Sequence, residues 1–137
     1  MKKFLLIMMI LISGKSIAVA QGNTSYDIDF TSPESVVNAI FYAAQTGDFN
    51  ILQHLCPPIA DASDGDVKDL CSLSEMHDDQ EMVDEFVAAF KDGYINGPVT
   101  YRVYQGYQLA EVPFEFGPRD EKMSLVKLYG NWYIADF

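Results

Sequence analysis

The stretch "MSLVKLYGNWYIADF" (Met123–Phe137) decides how this chain is read. Most of its residues are apolar or aromatic, and Gly130-Asn131 divides it in two. Glycine at the first central position suits a two-residue hairpin turn. That register sets Tyr129 opposite Trp132, Lys127 opposite Ile134 and Leu125 opposite Asp136, with Val126, Leu128, Tyr133, Ala135 and Phe137 on the other face. Apart from Lys127 and Asp136 both faces are largely apolar, so the hairpin is expected at the centre of a sheet and covered on both sides.

Working backwards, "YQLAEVPFEF" (Tyr107–Phe116) alternates Ala110, Val112, Phe114 and Phe116 with Glu111 and Glu115, and "VTYRVYQ" (Val99–Gln105) alternates in the same way. Period 2 is the strand signature. Pro113 has no amide hydrogen to give a ladder, so it points to an edge or a bulge.

Before Gly97-Pro98 the period is helical. In "TSPESVVNAIFYAAQTGD" (Thr31–Asp48), Thr31 with Glu34, or Ser32 with Pro33, can open a helix. Val36, Val37, Ile40, Phe41 and Ala44 form its stripe, and Gly47 can close it in the left-handed conformation. Asp48 is placed to cap a shorter helix, "FNILQHLC", which Pro57-Pro58 stops. A short helix over Val67–Leu73 and a longer one through "DDQEMVDEFVAAFKDG" complete the helical half. Three main helices followed by about four antiparallel strands predict an α+β fold with the helices on one side of a curved sheet.

Residues 1–20 read differently. Lys2-Lys3, the apolar run Phe4–Ile12 and Ala18-Val19-Ala20 have the order of a secretory signal cleaved near Ala20/Gln21. The run is too short for a bilayer, which takes roughly 20 residues, so no membrane insertion is expected. The "SGKS" at Ser13–Ser16 has Met9 where a phosphate-binding loop needs its first glycine, and is no nucleotide site. Residues 21–31 are polar and expected to be loose, and residues 32–137 are expected to form one domain in a secreted or periplasmic protein.

The whole chain carries 9 Lys+Arg against 20 Asp+Glu, a net −11. Lys2, Lys3 and Lys15 lie in the signal, so six cations against twenty acids leave −14 on the remainder. Such a surface repels nucleic acid and anionic membranes. The two cysteines, Cys56 and Cys71, are expected to pair in an oxidising compartment.

The segment "SPESVVNAIFYAAQTGDFNILQHLCPP" (Ser32–Pro58) resembles the first helix, Gly-Asp corner and second helix of the nuclear transport factor 2-like superfamily, which includes ketosteroid isomerase-like and SnoaL-like proteins. "LVKLYGNWYIADF" (Leu125–Phe137) resembles its closing hairpin. The likeness is strongest to small exported bacterial domains of unknown function. It implies a cystatin-like cone, a bent sheet around the long helix with a cavity at the open end. The isomerases of that group carry a catalytic tyrosine seven residues before the corner glycine, where this chain has Ile40. Their carboxylate base falls where this chain has Pro57-Pro58 and an acidic segment, so the usual proton-transfer machinery is missing.

Tyr42, Tyr101, Tyr104 and Trp132 are the candidate ligand-binding residues, since apolar rings with polar tips line small-molecule sites. In "DASDGDVKD" (Asp61–Asp69), aligning Gly65 with the glycine of a calcium loop puts Ala60 and Ala62 at ligand positions, so the segment reads as a solvated acidic loop. His54 and His77 lack the partners that metal or catalytic sites need, and no cofactor or metal is expected. The sequence reading is a non-catalytic exported domain that binds a small apolar ligand or a protein partner at the cone opening or sheet face, and forms a homodimer through that face. Its rivals are a lyase or isomerase using Asp136 or Glu111 with a tyrosine, and a structural or inhibitory partner in a cell-envelope assembly.

Overall fold

The structure, a computed structural model, describes residues 26–58, 65–73, 75 and 78–137. The expected signal, residues 61–64 of the acidic loop and His77 lie outside the described residues, and residues 65–69 of that loop are helical instead. Helix α1 (Pro33–Thr46) leads, followed by a 3₁₀ segment (Phe49–His54), α2 (Gly65–Ser72) and α3 (Gln80–Phe90). Five strands complete the fold: β1 (Tyr94–Ile95), β2 (Thr100–Tyr104), β3 (Tyr107–Phe116), β4 (Arg119–Leu128) and β5 (Asn131–Asp136). They pair antiparallel into one curved, unclosed sheet, so the chain is α+β.

Helix α1 begins where two local preferences agree. Ser32 accepts a hydrogen bond from the Ser35 amide, and Pro33 occupies the first turn, where no amide hydrogen is needed. Gly47 ends the helix at φ 78°, a conformation that costs other residues energy. Val36, Val37, Ile40, Phe41 and Ala44 are all buried, as the helical stripe predicts. Asp48 departs from expectation. It precedes the 3₁₀ segment, but its side chain makes no cap hydrogen bond.

The sheet is a meander whose outer partner strand is broken in two. Strands β1 and β2 lie along the same side of β3, Ile95 opposite Phe114 and Thr100 opposite Glu111. Pro113 sits at the break, where the Asn96 amide donates to its carbonyl. Ladder bonds alternate in direction along a strand, so the missing N–H of Pro113 faces the interruption at Gly97-Pro98. The proline therefore marks a discontinuity in its neighbour, not an edge of its own strand.

The closing hairpin is shifted from the expected register. Its turn is Tyr129-Gly130, with φ 52° and 84°. Positive φ at both central residues makes a turn whose twist matches that of the strands. Lys127 therefore faces Trp132, and Leu125 faces Ile134. The slip is two residues as far as Ile134, so Trp132, Tyr133 and Ile134 keep their predicted faces. A bulge beside Leu125 then sets Asp136 opposite Ser124, and Phe137 packs on Phe90 of α3, so the last two residues exchange faces.

Only half of that hairpin is central. Strand β4 lies between β3 and β5, while β5 is an edge. Its outward amides are satisfied elsewhere: Trp132 N–H donates to the Phe30 carbonyl at 2.8 Å, and Ile134 N–H to the Leu55 carbonyl at 2.9 Å. The ring of Phe30 lies 6.2 Å from that of Tyr133 on the outer face, which explains why β5 is apolar on both sides. Residues 26–31 are thus docked, contrary to the loose segment expected; Tyr26 stacks on Tyr42 at 4.3 Å.

The core lies between α1 and the inner sheet face, where Ile40, Leu52, Val112, Phe114, Met123, Leu125 and Ile134 are fully buried. Full burial of such a side chain contributes about 1.5–3 kcal/mol each. Phe90 of α3 closes one end against Phe114, Phe116 and Phe137. Cys56 and Cys71 form the expected disulfide, with a Cα–Cα distance of 6.0 Å, and fasten α2 to the end of the 3₁₀ segment. No helix among the described residues is long and apolar enough to cross a membrane.

Candidate functional site

The sheet extends beyond the helices at the end that carries the β2–β3 and β4–β5 turns, Gln105-Gly106 and Tyr129-Gly130. There its inner face continues without a helix above it. Cross-strand pairing puts Tyr101 beside Ala110, Val103 beside Gln108 and Lys127 beside Trp132, all on the core face. Tyr101, Val103, Gln108, Lys127 and Trp132 line an open groove of about 410 Å³ together with Thr31 and Arg102. Ligand sites commonly span roughly 300–1,000 Å³.

Two of the four candidate tyrosine and tryptophan residues meet here. The Tyr101 ring lies 5.9 Å from that of Trp132. Trp132 is 4% exposed and forms the floor, whereas Tyr101 at 63% and Val103 at 72% stand as the outer wall. Tyr104 is one residue out of phase with Tyr101, so it occupies the opposite face and pairs with Tyr107 beside the turn. Tyr42 is spent on its stack with Tyr26. Thr31, Val103, Gln108 and Lys127 were not singled out in the sequence. The alternation that predicted Tyr101 also puts Val103 on its face, so that residue at least was open to detection.

Lys127 gives the groove its chemistry. Its Nζ lies 5.6 Å from the centre of the Trp132 ring, within the range of a cation–π attraction. Among the described residues no carboxylate comes within 4.0 Å of it. Arg102, the other cation at the groove, is bridged to Glu111 at 3.7 Å, and Lys122 approaches the same carboxylate at 3.9 Å. The strand segments that flank the groove lack acids for a simple reason of sequence: Gly93–Ala110 and Lys122–Ala135 contain no Asp or Glu, in a chain that has 20.

Thr31 is fixed from behind. Its N–H and hydroxyl both donate to the Asp29 carboxylate, at 2.9 and 2.6 Å. Those bonds, the hydroxyl first, hold the Asp29 carboxyl below its ordinary range.

The alternative acid and base candidates do not meet a tyrosine in the groove. Glu111 faces outward toward Arg102 and Lys122, and Asp136 is exposed at the far end of β5. His54 is exposed on the 3₁₀ segment. Among the described residues no group of three His, Cys, Asp or Glu side chains could hold a metal ion. A second, smaller cleft of about 210 Å³ lies between α2, α3 and Phe137, lined by Leu70, Leu73, Met82, Phe86 and Phe90.

Comparison with known proteins finds no matching family model, no matching curated relative and no matching solved structure.

Proposed function

We propose that the protein is an exported, non-catalytic binding domain that takes a small apolar ligand carrying a negative charge in the groove of Tyr101, Lys127 and Trp132. The observation that carries this reading is Lys127: a cation without a carboxylate partner among the described residues, lying on an indole between strand segments that hold no Asp or Glu, in a chain of net −11. An aromatic or aliphatic acid would place its apolar body between Tyr101 and Trp132 and its charge at Lys127. Gln108 supplies a polar group at the rim, while the Thr31 donors are committed to Asp29. Such a pairing of apolar walls with few polar groups is the usual economy of a small-molecule site.

Export fits the Cys56–Cys71 bridge, since disulfides persist in oxidising compartments, and it fits the signal-like order of residues 1–20. A cone of the nuclear transport factor 2-like type belongs to the same proposal, because helices followed by a curved meander are the arrangement it requires. Binding is preferred over lyase or isomerase chemistry because neither Glu111 nor Asp136 lines the groove.

Trp132 is the only tryptophan in the chain, so its emission reports on the groove directly. The test is titration with 8-anilinonaphthalene-1-sulfonate, an apolar aromatic anion, followed by energy transfer from Trp132. Saturable quenching that weakens in Lys127→Ala supports the reading; no saturable change up to about 100 μM, an affinity near −5.5 kcal/mol, overturns it.

A further inference from the structure

Every residue of β2 is exposed, and the strand forms the outer border of the groove. Tyr104 pairs with Tyr107 across the two-residue turn Gln105-Gly106, whose φ values are 50° and 83°. In such a hairpin the pair flanking the turn exchanges both ladder bonds. Thr100, Arg102 and Tyr104 therefore direct their amides and carbonyls to β3, and those of Tyr101 and Val103 point away from the sheet. Among the described residues nothing bonds to them. The sequence "TYRVY" is rich in residues that favour strands, and none of the usual edge protections is present: no proline, no bulge, and a single charge already committed to Glu111.

We infer that this edge pairs antiparallel with the same edge of a second copy, and that the partner closes the groove. Charge selects the occupant. Two chains of net −11 repel each other over most of their surface, but the edge lies within the acid-free stretch Gly93–Ala110, so it is a place where two copies meet without opposed carboxylates.

Register selects the geometry. With Tyr101 on the two-fold axis, Tyr101 pairs with the partner's Tyr101 and Val103 with the partner's Val99, so the outward amides bond across the axis. Arg102 then lies opposite the partner's Thr100. A shift that puts Arg102 on the axis would oppose two like charges, which is unfavourable. Tyr101, Val103 and Val99 share the groove face, so the partner adds its own Tyr101 and Val99 to the open wall. This last step rests on the groove being the binding site; the pairing itself does not.

Sedimentation of the exported chain, from low to about 100 μM and in salt up to about 0.5 M to screen net charge, reads the pairing. A monomer–dimer equilibrium strengthened by salt is expected, and a monomer throughout overturns the inference. Val103→Pro removes an outward N–H without touching the β2–β3 ladder; it should be monomeric with an unchanged melting temperature, and a persistent dimer overturns edge pairing. Thr100→Lys supplies a second, register-specific test. Its new charge faces Glu111 within the chain and the partner's Arg102 across the axis, so the dimer should weaken by about tenfold. A dimer tightened by the lower net charge would overturn this register.

The anilinonaphthalene probe separates the two readings. If Thr100→Lys, whose side chain lies on the face opposite the groove, binds the probe several-fold more weakly at concentrations where only the wild type is dimeric, the shared groove stands. If it binds as tightly as the wild type, the shared groove falls and only the dimer survives; a dimer that never binds the probe sinks the groove reading alone.

Discussion

Lys127 lies directly across the β4–β5 ladder from Trp132, with its ammonium 5.6 Å from the centre of the indole. The relationship depends on the turn at Tyr129-Gly130: had the chain turned at Gly130-Asn131, Lys127 would face Ile134 and the floor of the groove would carry no cation.

Replacing Lys127 by Ala should therefore harm binding more than folding. Anion affinity should fall about five- to tenfold, the share expected of a partly desolvated charge, while stability falls by no more than about 1 kcal/mol. Tyr101→Ala should lower probe affinity through loss of the outer wall. Equal affinity in wild type and both variants would remove Lys127 and Tyr101 from the site.

Gly93 is required for space. A Cβ built there would lie 2.5 Å from Phe41 Cε1 and 3.2 Å from the Glu115 carbonyl, and Phe41 is buried against Phe114. Gly93→Ala should cost about 1–3 kcal/mol, the usual penalty for overpacking. Urea unfolding reads it as a lowered midpoint with an unchanged slope; an unchanged midpoint would mean that the α3–β1 corner is looser than described.

The Cys56–Cys71 bridge closes a loop with a sequence separation of 15. Chain entropy predicts about 3 kcal/mol for a loop of that size. A Cys56→Ala, Cys71→Ala double variant should unfold at correspondingly lower denaturant, and reductant should shift the wild type to match it. If reductant leaves the wild-type midpoint alone, the staple contributes nothing.

Asp29 links acid stability to the groove. Thr31 holds its folded pKa below the unfolded value, so the group stabilises the native state above the unfolded carboxylate pKa, about 3.9. That contribution disappears as pH falls through the lowered folded value. Asp29→Asn should lose this part of the acid response, seen as the difference in Trp132 emission between variant and wild type below about pH 4. Superimposable acid profiles would show that Asp29 does not hold the segment carrying Phe30.

The periodicities made the α+β class legible, because a helical stripe and a two-residue alternation each survive errors of register. Tyr101 and Trp132 were found for the same reason: alternation assigned each its face, for Trp132 despite a slip of two. Tyr42 was misplaced by a partner that local pattern does not reveal, the Tyr26 stack, whereas the alternation of β2 already sets Tyr104 on the face opposite Tyr101. The turn was misread because Tyr129 adopts a positive φ that its side chain does not advertise. Lys127 escaped notice because a lysine in an apolar strand looks like a solvated residue until its cross-strand neighbour is known. The docking of residues 26–31 was equally hidden, since Phe30 and Trp132 are far apart in sequence and meet through a backbone bond.

The most direct test maps the bound probe onto the backbone. Amide chemical shifts of the labelled chain, recorded as 8-anilinonaphthalene-1-sulfonate is added, should move at Thr31, Tyr101, Val103, Gln108, Lys127 and Trp132 and stay still along α2 and α3. Shifts centred instead on Leu70, Leu73, Phe86 and Phe137 would put the ligand in the other cleft and contradict the account.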